Sequence, residues 1–537
     1  MKLTRLQVSN HSRVADTDIE IREHLVLVGP NDVGKSSILR CLDLLLGAST
    51  AQLYARIVAA DLRDTDQPFV VEAVLEDFAA DDEALFPDEI TVDTSTGTSS
   101  LTIRLAASFD DNETLEVERT APGGGTGRQI SRDQLIGIGW KVLGAVAGAR
   151  DIRDDRKTPL DDILQAIDLG AEKADFDGLT EQLQKKLTES KILETLRGDL
   201  AGQLSKALPD AISTGDLTFV PGASADNDIL SDVRLHVTRA GSQRSLVDQS
   251  DGTRALFAIA LYDLVSASAN MVGIDEPEIH LHPTSQRSLA KLLQDSSNQK
   301  FIATHSADIV GAFSPECIAT VKPGGVVVQP QIGFLSADER MAIRWWVRNR
   351  LEPLTAGRVV AVEGISDRII LERAADLTGR ELDRLGVSLV ETGGSGDMGA
   401  IIKLFGPAGF DVAMSMLIDE DAVKETAKKL GVPEADLSKQ STWVSSPDLE
   451  AEYVSALGAA DVWTAIENSG LFNANELANC AASGPGGIRT PGDVAAFCRF
   501  GSKYKVKAAM AVAPLLENAS ARRITSIENL LGEIASA

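Results

Sequence analysis

Apolar and polar positions along the chain follow two rhythms. Residues 25–28, 271–274, 301–303 and 359–362 are unbroken apolar runs, and 413–418 is nearly so. Such runs predict strands buried on both faces, as in a parallel sheet covered by helices. Residues 69–77, 101–109 and 115–119 instead alternate apolar with polar, the period of half-buried strands, and Pro122-Gly123-Gly124-Gly125 closes them with a turn. An antiparallel sheet flanking a mostly parallel one follows. Residues 176–207 are polar with leucines at helical spacing: Leu179, Leu183 and Leu187, then Leu193, Leu196 and Leu200. This predicts an amphipathic helical insertion, with two roles open to it: a dimerisation arm, or a helix packed on its own domain. Strands resume at 217–220 and 233–237. Lys322-Pro323-Gly324-Gly325 and a helix near 339–349 lead into a second α/β unit. The predicted organisation is α/β throughout: a split first domain at 1–150 and 211–345, an insertion at 151–210, and a second domain at 355–537.

The first buried run ends in Gly29-Pro30-Asn31-Asp32-Val33-Gly34-Lys35-Ser36, a complete G-x-x-x-x-G-K-S, and 38–46 reads as a helix ending at Gly47. Strand, glycine loop and helix in that order make a phosphate-binding loop. Gly29 and Gly34 let backbone N–H groups converge on an anion, and the helix N-terminus adds partial positive charge. Lys35 reaches the β and γ phosphates and the Ser36 hydroxyl can ligate Mg²⁺. Gly29, Asn31, Gly34, Lys35, Ser36 and Ser37 are thus the candidate ATP-binding residues, with ATP and Mg²⁺ the expected cofactors. The run at 271–274 ends in Asp275-Glu276-Pro277 and continues as Glu278-Ile279-His280-Leu281-His282-Pro283. Asp275 would hold Mg²⁺ and Glu276 would polarise the attacking water as general base. Asp248-Gln249-Ser250-Asp251-Gly252-Thr253-Arg254 precedes an apolar helix at 255–264, so Ser250 and Gly252 form a second anion nest. His305, in Thr304-His305-Ser306 at a strand end, can hydrogen-bond a γ-phosphate; a lone histidine there is more often structural.

The second unit carries a different chemistry. The run at 359–362 ends in Glu363-Gly364, with Asp367 opening a helix, and the run at 413–418 ends in Asp419-Glu420-Asp421. Glu363 and Asp419 would sit at the carboxyl ends of adjacent strands, where open α/β sheets place their sites. Converging carboxylates repel unless a cation joins them, and hard oxygen ligands suit Mg²⁺ or Mn²⁺.

Composition narrows the picture. The 537 residues carry 52 Lys and Arg against 79 Asp and Glu, a net charge of −27. Such a charge counts against a sequence-independent DNA coat, yet leaves room for local phosphate contacts through metal ions or a basic groove. No stretch approaches the roughly 20 apolar residues of a membrane span, and Met1–Asn10 lacks an apolar signal core, so a cytoplasmic protein is expected. Cys41, Cys317, Cys480 and Cys498 lie far apart, which argues against a zinc knuckle or a disulfide framework.

The order of phosphate loop, serine-glycine loop, Asp-Glu strand and strand-end histidine resembles the ABC-type ATPase head of the SMC and DNA-repair kind. The resemblance implies that Ser250 and Gly252 act on a partner's nucleotide, and hence a homodimer or higher oligomer. The sequence departs from the family in Ser250-Asp251-Gly252-Thr253, where S-G-G-Q is usual, and its glutamine loop has only Gln67 and Gln52 as candidates. Glu363-Gly364 followed by Asp419 and Asp421 resembles a Toprim domain. A Toprim unit after an ABC head is similar to the OLD (overcoming lysogenization defect) family of ATP-dependent endonucleases. That resemblance implies a two-metal DNA nuclease with Asp367 as an additional acid, Glu450 as a later one and a lysine near the C-terminus, here Lys507, with Lys505 the alternative. It also implies service in phage defence or DNA repair, with a partner protein possible. The rival expectation is an ATP-gated nucleic-acid clamp that cuts nothing.

Overall fold

The computed structural model describes residues 1–143 apart from 111, 113 and 124–126; 182–220 apart from 183, 209 and 210; 234–239, 242–245 and 253; 269–336 apart from 280 and 296; and 351–536 apart from 394–397. Two compact units result. Residues 1–328 fall in the first and 351–536 in the second, which residues 329–336 join. Gln331 N–H donates to the Ala408 carbonyl at 2.8 Å, and the rings of Phe334 and Phe410 meet edge to face at 6.4 Å.

In the first unit, Leu25–Val28 lies inside a six-stranded sheet. Its order is Trp140–Leu143, Met271–Asp275, Gln299–Thr304, Leu25–Val28, Ile318–Lys322 and Val326–Val328; every pairing is parallel except the last. Asp275 pairs with Ala303, and Thr304 with Val28, so the strands end at one edge. The strand at Trp140 carries no sustained apolar run or alternation that would announce it. Its indole is seated by Gly273, where a Cβ would meet the ring, and donates to Asp43 at 3.2 Å. The predicted antiparallel sheet is present: Lys2–Ser9, Phe69–Glu76, Ser99–Phe109 and Leu115–Ala121 are its long strands. Phe69–Glu76 buries every second side chain, as its alternation demands. The helix Lys35–Leu46 fills the space between the sheets. Its Ile38, Leu42 and Leu45 share one core with Leu27 and Phe301 on one side and Val71 and Leu105 on the other.

Of the predicted insertion at 151–210, residues 151–181, 183, 209 and 210 lie outside the described residues. The helix Lys191–Ala207 buries Leu200 and Leu204 and packs on the helix Pro283–Asp295 of its own unit, while Ile192 is exposed. Ser250 and Gly252 also lie outside the described residues.

The second unit is a four-stranded parallel sheet ordered Val387–Glu391, Arg358–Val362, Ala413–Asp419, Thr442–Ser445. Val362 pairs with Leu417, which sets Glu363 beside Asp419 at the carboxyl edge. Helices Ile365–Leu377, Leu449–Leu457, Pro491–Cys498 and Ser502–Val512 close one core over it, including Val360, Ile370, Val454, Phe497 and Val512.

Candidate functional site

The phosphate loop is shaped by close backbone approaches. A Cβ on Gly29 would run into the Val321 carbonyl oxygen, and Gly34 stands at φ 109°, a conformation that favours glycine. Lys35 opens the helix and is only 5% exposed. Its ammonium donates to the carbonyls of Gly29 at 3.0 Å and Pro30 at 2.8 Å, and to His305 Nε2 at 2.8 Å. An ammonium has no acceptor, so this contact requires neutral His305 with its proton on Nδ1. Burial and the Lys35 charge both lower the His305 pKa, in keeping with that state. His305 Nε2 also lies 3.6 Å from Glu276 Oε1. Ser36 Oγ donates to Asp275 Oδ1 at 3.0 Å, and burial raises the Asp275 pKa. The two predicted Mg²⁺ ligands thus touch each other at the sheet edge. Asn31 and Ser37 lie in the same loop and first helical turn. Gln52 instead spends its side chain capping the helix Thr50–Arg56.

Sequence reasoning passed over Glu278. Its Oε1 accepts the His305 backbone N–H, and its Oε2 is buried without a hydrogen bond among the described residues. A carboxylate three residues past Asp275, in a segment that returns to the sheet, was the available signal.

In the second unit, one oxygen each from Glu363, Asp419 and Asp421 lies within 4.8 Å of the others, with Asp419 buried and Asp421 exposed. Glu363 Oε1 also accepts the Asp419 N–H at 3.1 Å. Behind them sit two buried acids. Asp367, 5% exposed, accepts the Gly364 N–H at 2.8 Å. Burial first and Asp419 second push its pKa up to about 7. Glu450 is 1% exposed and its Oε2 has no hydrogen bond among the described residues; burial raises its pKa as well. Among the described residues one cation answers this group: Lys505 Nζ stands 3.1 Å from Asp419 Oδ2 and 3.5 Å from Glu450 Oε2. Burial opposes its charge, yet Glu450 and Asp419 raise its pKa above the usual lysine value.

Lys507, the first choice from the sequence, is placed elsewhere. It bonds both Glu476 oxygens at 2.9 Å and stands 5.0 Å over the Phe472 ring. Both lysines lie on the helix Ser502–Val512, and two residues turn a helix by about 200°, so only one can face the carboxylates. The lysine assignment therefore moves to Lys505.

The donor set fits a hard divalent cation: clustered carboxylate oxygens, a buried Glu450 oxygen approached by Lys505 at 3.5 Å but not hydrogen-bonded among the described residues, and more negative charge than that lysine balances. Clustered negative charge has a measurable cost where no cation balances it. Asp367 stays protonated in the fold until about pH 7, whereas the unfolded chain releases that proton near 3.8. Stability is therefore lost as pH rises between these values, by about 1.4 kcal/mol per unit, on the order of 4 kcal/mol in all. Asp367→Asn keeps the bond to Gly364 without the charge. In chelator at pH 8 it is expected to melt several degrees above the natural protein, the gain shrinking as pH falls toward 4. Equal melting at pH 8 would refute this account.

A phosphate-loop ATPase unit followed by a parallel α/β unit with strand-end carboxylates is the architecture of an ATPase–Toprim protein. The family described as "AAA domain, putative AbiEii toxin, Type IV TA system" matches residues 25–311, and "Overcoming lysogenization defect protein-like, TOPRIM domain" matches 354–421. The chain belongs to the first of these families, whose model spans more than half of it, and the Toprim match that follows supports an ATPase–Toprim protein of the OLD family. Among its relatives, the OLD nuclease of Thermus scotoductus is 24% identical over 78% of this chain and 82% of its own length. Endonuclease GajA of Bacillus cereus is 20% identical over 74% of this chain and 71% of its own length. The solved C-terminal region of the Burkholderia pseudomallei OLD protein is 22% identical, covering 34% of this chain and 98% of that one, with a TM-score of 0.27. No helix among the described residues is long and apolar enough to cross a membrane.

Proposed function

We propose that the protein is an ATP-hydrolysing, metal-dependent DNA endonuclease. The observation that carries this reading is the convergence of Glu363, Asp419 and Asp421 at a sheet edge, backed by buried Asp367 and Glu450 and faced by Lys505, in a chain that also holds a complete phosphate loop. The five carboxylates would hold Mg²⁺ or Mn²⁺, which supplies an activated water and neutralises charge at a phosphodiester. Lys505 is positioned to balance the negative charge that develops on the phosphate. The relatives are named nuclease and endonuclease, which supports a nucleic-acid phosphodiester as the bond cut. With a net charge of −27, binding of DNA must rest on such local contacts.

In the first unit, the loop amides from Gly29 to Ser37 and Lys35 receive the phosphates of ATP, and Ser36 with Asp275 would hold the accompanying Mg²⁺. Glu276 takes the proton of the attacking water and His305 meets the γ-phosphate. Supercoiled plasmid incubated with protein and Mg²⁺ or Mn²⁺, with and without ATP, tests the reading. Nicked and linear products are expected in at least one metal condition and none in chelator. ATP hydrolysis with no cleavage under any condition would overturn the nuclease and leave an ATP-gated clamp.

Ser250 and Gly252 are assigned to the nucleotide of a second copy, so the protein works as a homodimer. Light scattering should return at least twice the 57.1 kDa chain mass with ATP and Mg²⁺. A monomer under all nucleotide conditions would contradict the assignment.

A further inference from the structure

The segment after Asp275 makes a turn whose backbone departs from ordinary geometry. Glu276 adopts φ 47°, in the left-handed region that non-glycine residues enter only when their surroundings hold them there. Two clamps do so. The Glu276 N–H donates to the Ala303 carbonyl at 2.8 Å, and the Glu278 carboxylate accepts the N–H of His305, the first residue past the neighbouring strand. The turn closes on itself through Ile279 N–H to Glu276 O at 3.2 Å and Leu281 N–H to Glu278 O at 2.9 Å. The next residue is fixed separately: Ser306 N–H donates to Thr304 Oγ1 at 2.9 Å and Ser306 Oγ to Gln286 Oε1 at 2.6 Å. His305 is thus the link between a rigid helix start and the acid turn, and its ring reaches both Lys35 and Glu276.

We propose that Glu278 is a positioning residue for ATP hydrolysis, whose carboxylate fixes the His305 backbone and thereby sets the distance between the histidine ring, Lys35 and the general base Glu276. The inference rests on the reading of Glu276 and His305 as hydrolytic residues. Glu278 itself does no proton chemistry in this scheme. What it supplies is an acceptor for one N–H, at a place where water would otherwise take that bond and let the strand end shift. Its second oxygen is buried with no hydrogen bond among the described residues, which fits a side chain held by this contact. Small displacements of catalytic groups are expensive in rate, about 100-fold for 1 Å, whereas the phosphate loop that binds the nucleotide stays intact.

The test compares Glu278→Ala and Glu278→Gln in the full-length protein. Glutamine retains an oxygen that accepts the same N–H; alanine does not. Glu278→Ala is expected to lower kcat for ATP by about 10- to 100-fold, with KM and the affinity for a fluorescent ATP analogue changed less than about twofold. Glu278→Gln should recover most of the lost rate. Amide hydrogen exchange over residues 301–306 reports the clamp without relying on turnover; it should accelerate in Glu278→Ala and stay near the natural rate in Glu278→Gln. Natural turnover in Glu278→Ala, or unchanged exchange at 301–306, overturns the proposal. So does equal loss of rate in both variants, since that would assign the charge of Glu278 a direct chemical role. Should Glu278→Ala not fold, a tenfold slower Glu278→Gln alone refutes it. If the exchange results hold but the natural protein hydrolyses no ATP, the clamp stands and the ATPase reading is what fails.

Discussion

Asp419→Ala is expected to reduce plasmid cleavage by about 10²–10³-fold or more, while ATP hydrolysis stays within about twofold of the natural rate. Asp419 takes part in most of the contacts in the centre. It shares the cluster with Glu363 and Asp421, takes Lys505 at 3.1 Å on Oδ2 and accepts the Leu449 N–H at 3.1 Å on Oδ1. Removing it takes a charge from the cation site and leaves Lys505 without its nearest partner. The stability change is small because two effects oppose: relief of repulsion among clustered carboxylates, and loss of the bond to Leu449 at a helix start, about 1 kcal/mol. A melting temperature near the natural one with cleavage lost is therefore the expected pair of results. Asp421→Ala should lose cleavage comparably, with no stability cost, since Asp421 is exposed. Full nuclease activity in both variants would remove the carboxylates from the mechanism.

Lys35→Ala is expected to weaken nucleotide binding by about 100-fold or more, on the basis of about 1.5–3 kcal/mol for each charged hydrogen bond to phosphate. The ammonium is held at the loop by two carbonyls and His305, so phosphate meets a lysine already in place. Burial lowers its pKa, against Glu276, Asp275 and Glu278, which act to raise it. Its burial therefore has a cost of its own, and the variant should fold with nearly unchanged melting temperature. Equilibrium titration with a fluorescent ATP analogue decides the matter; affinity equal to that of the natural protein would sink the assignment.

Much of both centres was legible because their chemistry is local. A buried strand ending in a glycine loop, in Asp275-Glu276 or in Glu363-Gly364 announces itself within ten residues. What was not legible depends on neighbours distant in sequence. Lys505 and Lys507 are equivalent on paper; the seating of the helix Ser502–Val512 against the sheet selects the first. Asp448 and Glu450 likewise stand one residue apart. Asp448 spends its side chain capping Ala451 and pairing with Arg499, which leaves Glu450 to face Lys505. Glu278 escaped notice because its partner is a backbone N–H, which no side-chain motif records. The strand Trp140–Leu143 was hidden because its place in the sheet depends on a glycine in another strand.

The phosphate loop is boxed in by main chain. A Cβ on Gly29 would strike the carbonyl of Val321, and one on Gly34 or Gly325 that of Arg13, so the loop is wedged between the strand Ile318–Lys322 and the segment at Arg13. A loop so confined has few alternative shapes to abandon when phosphate arrives. The conformational entropy of ordering it was spent during folding rather than at binding. Free energy from the amides and Lys35 then appears almost undiminished as affinity, and nucleotide capture becomes the docking of an anion into a finished mould.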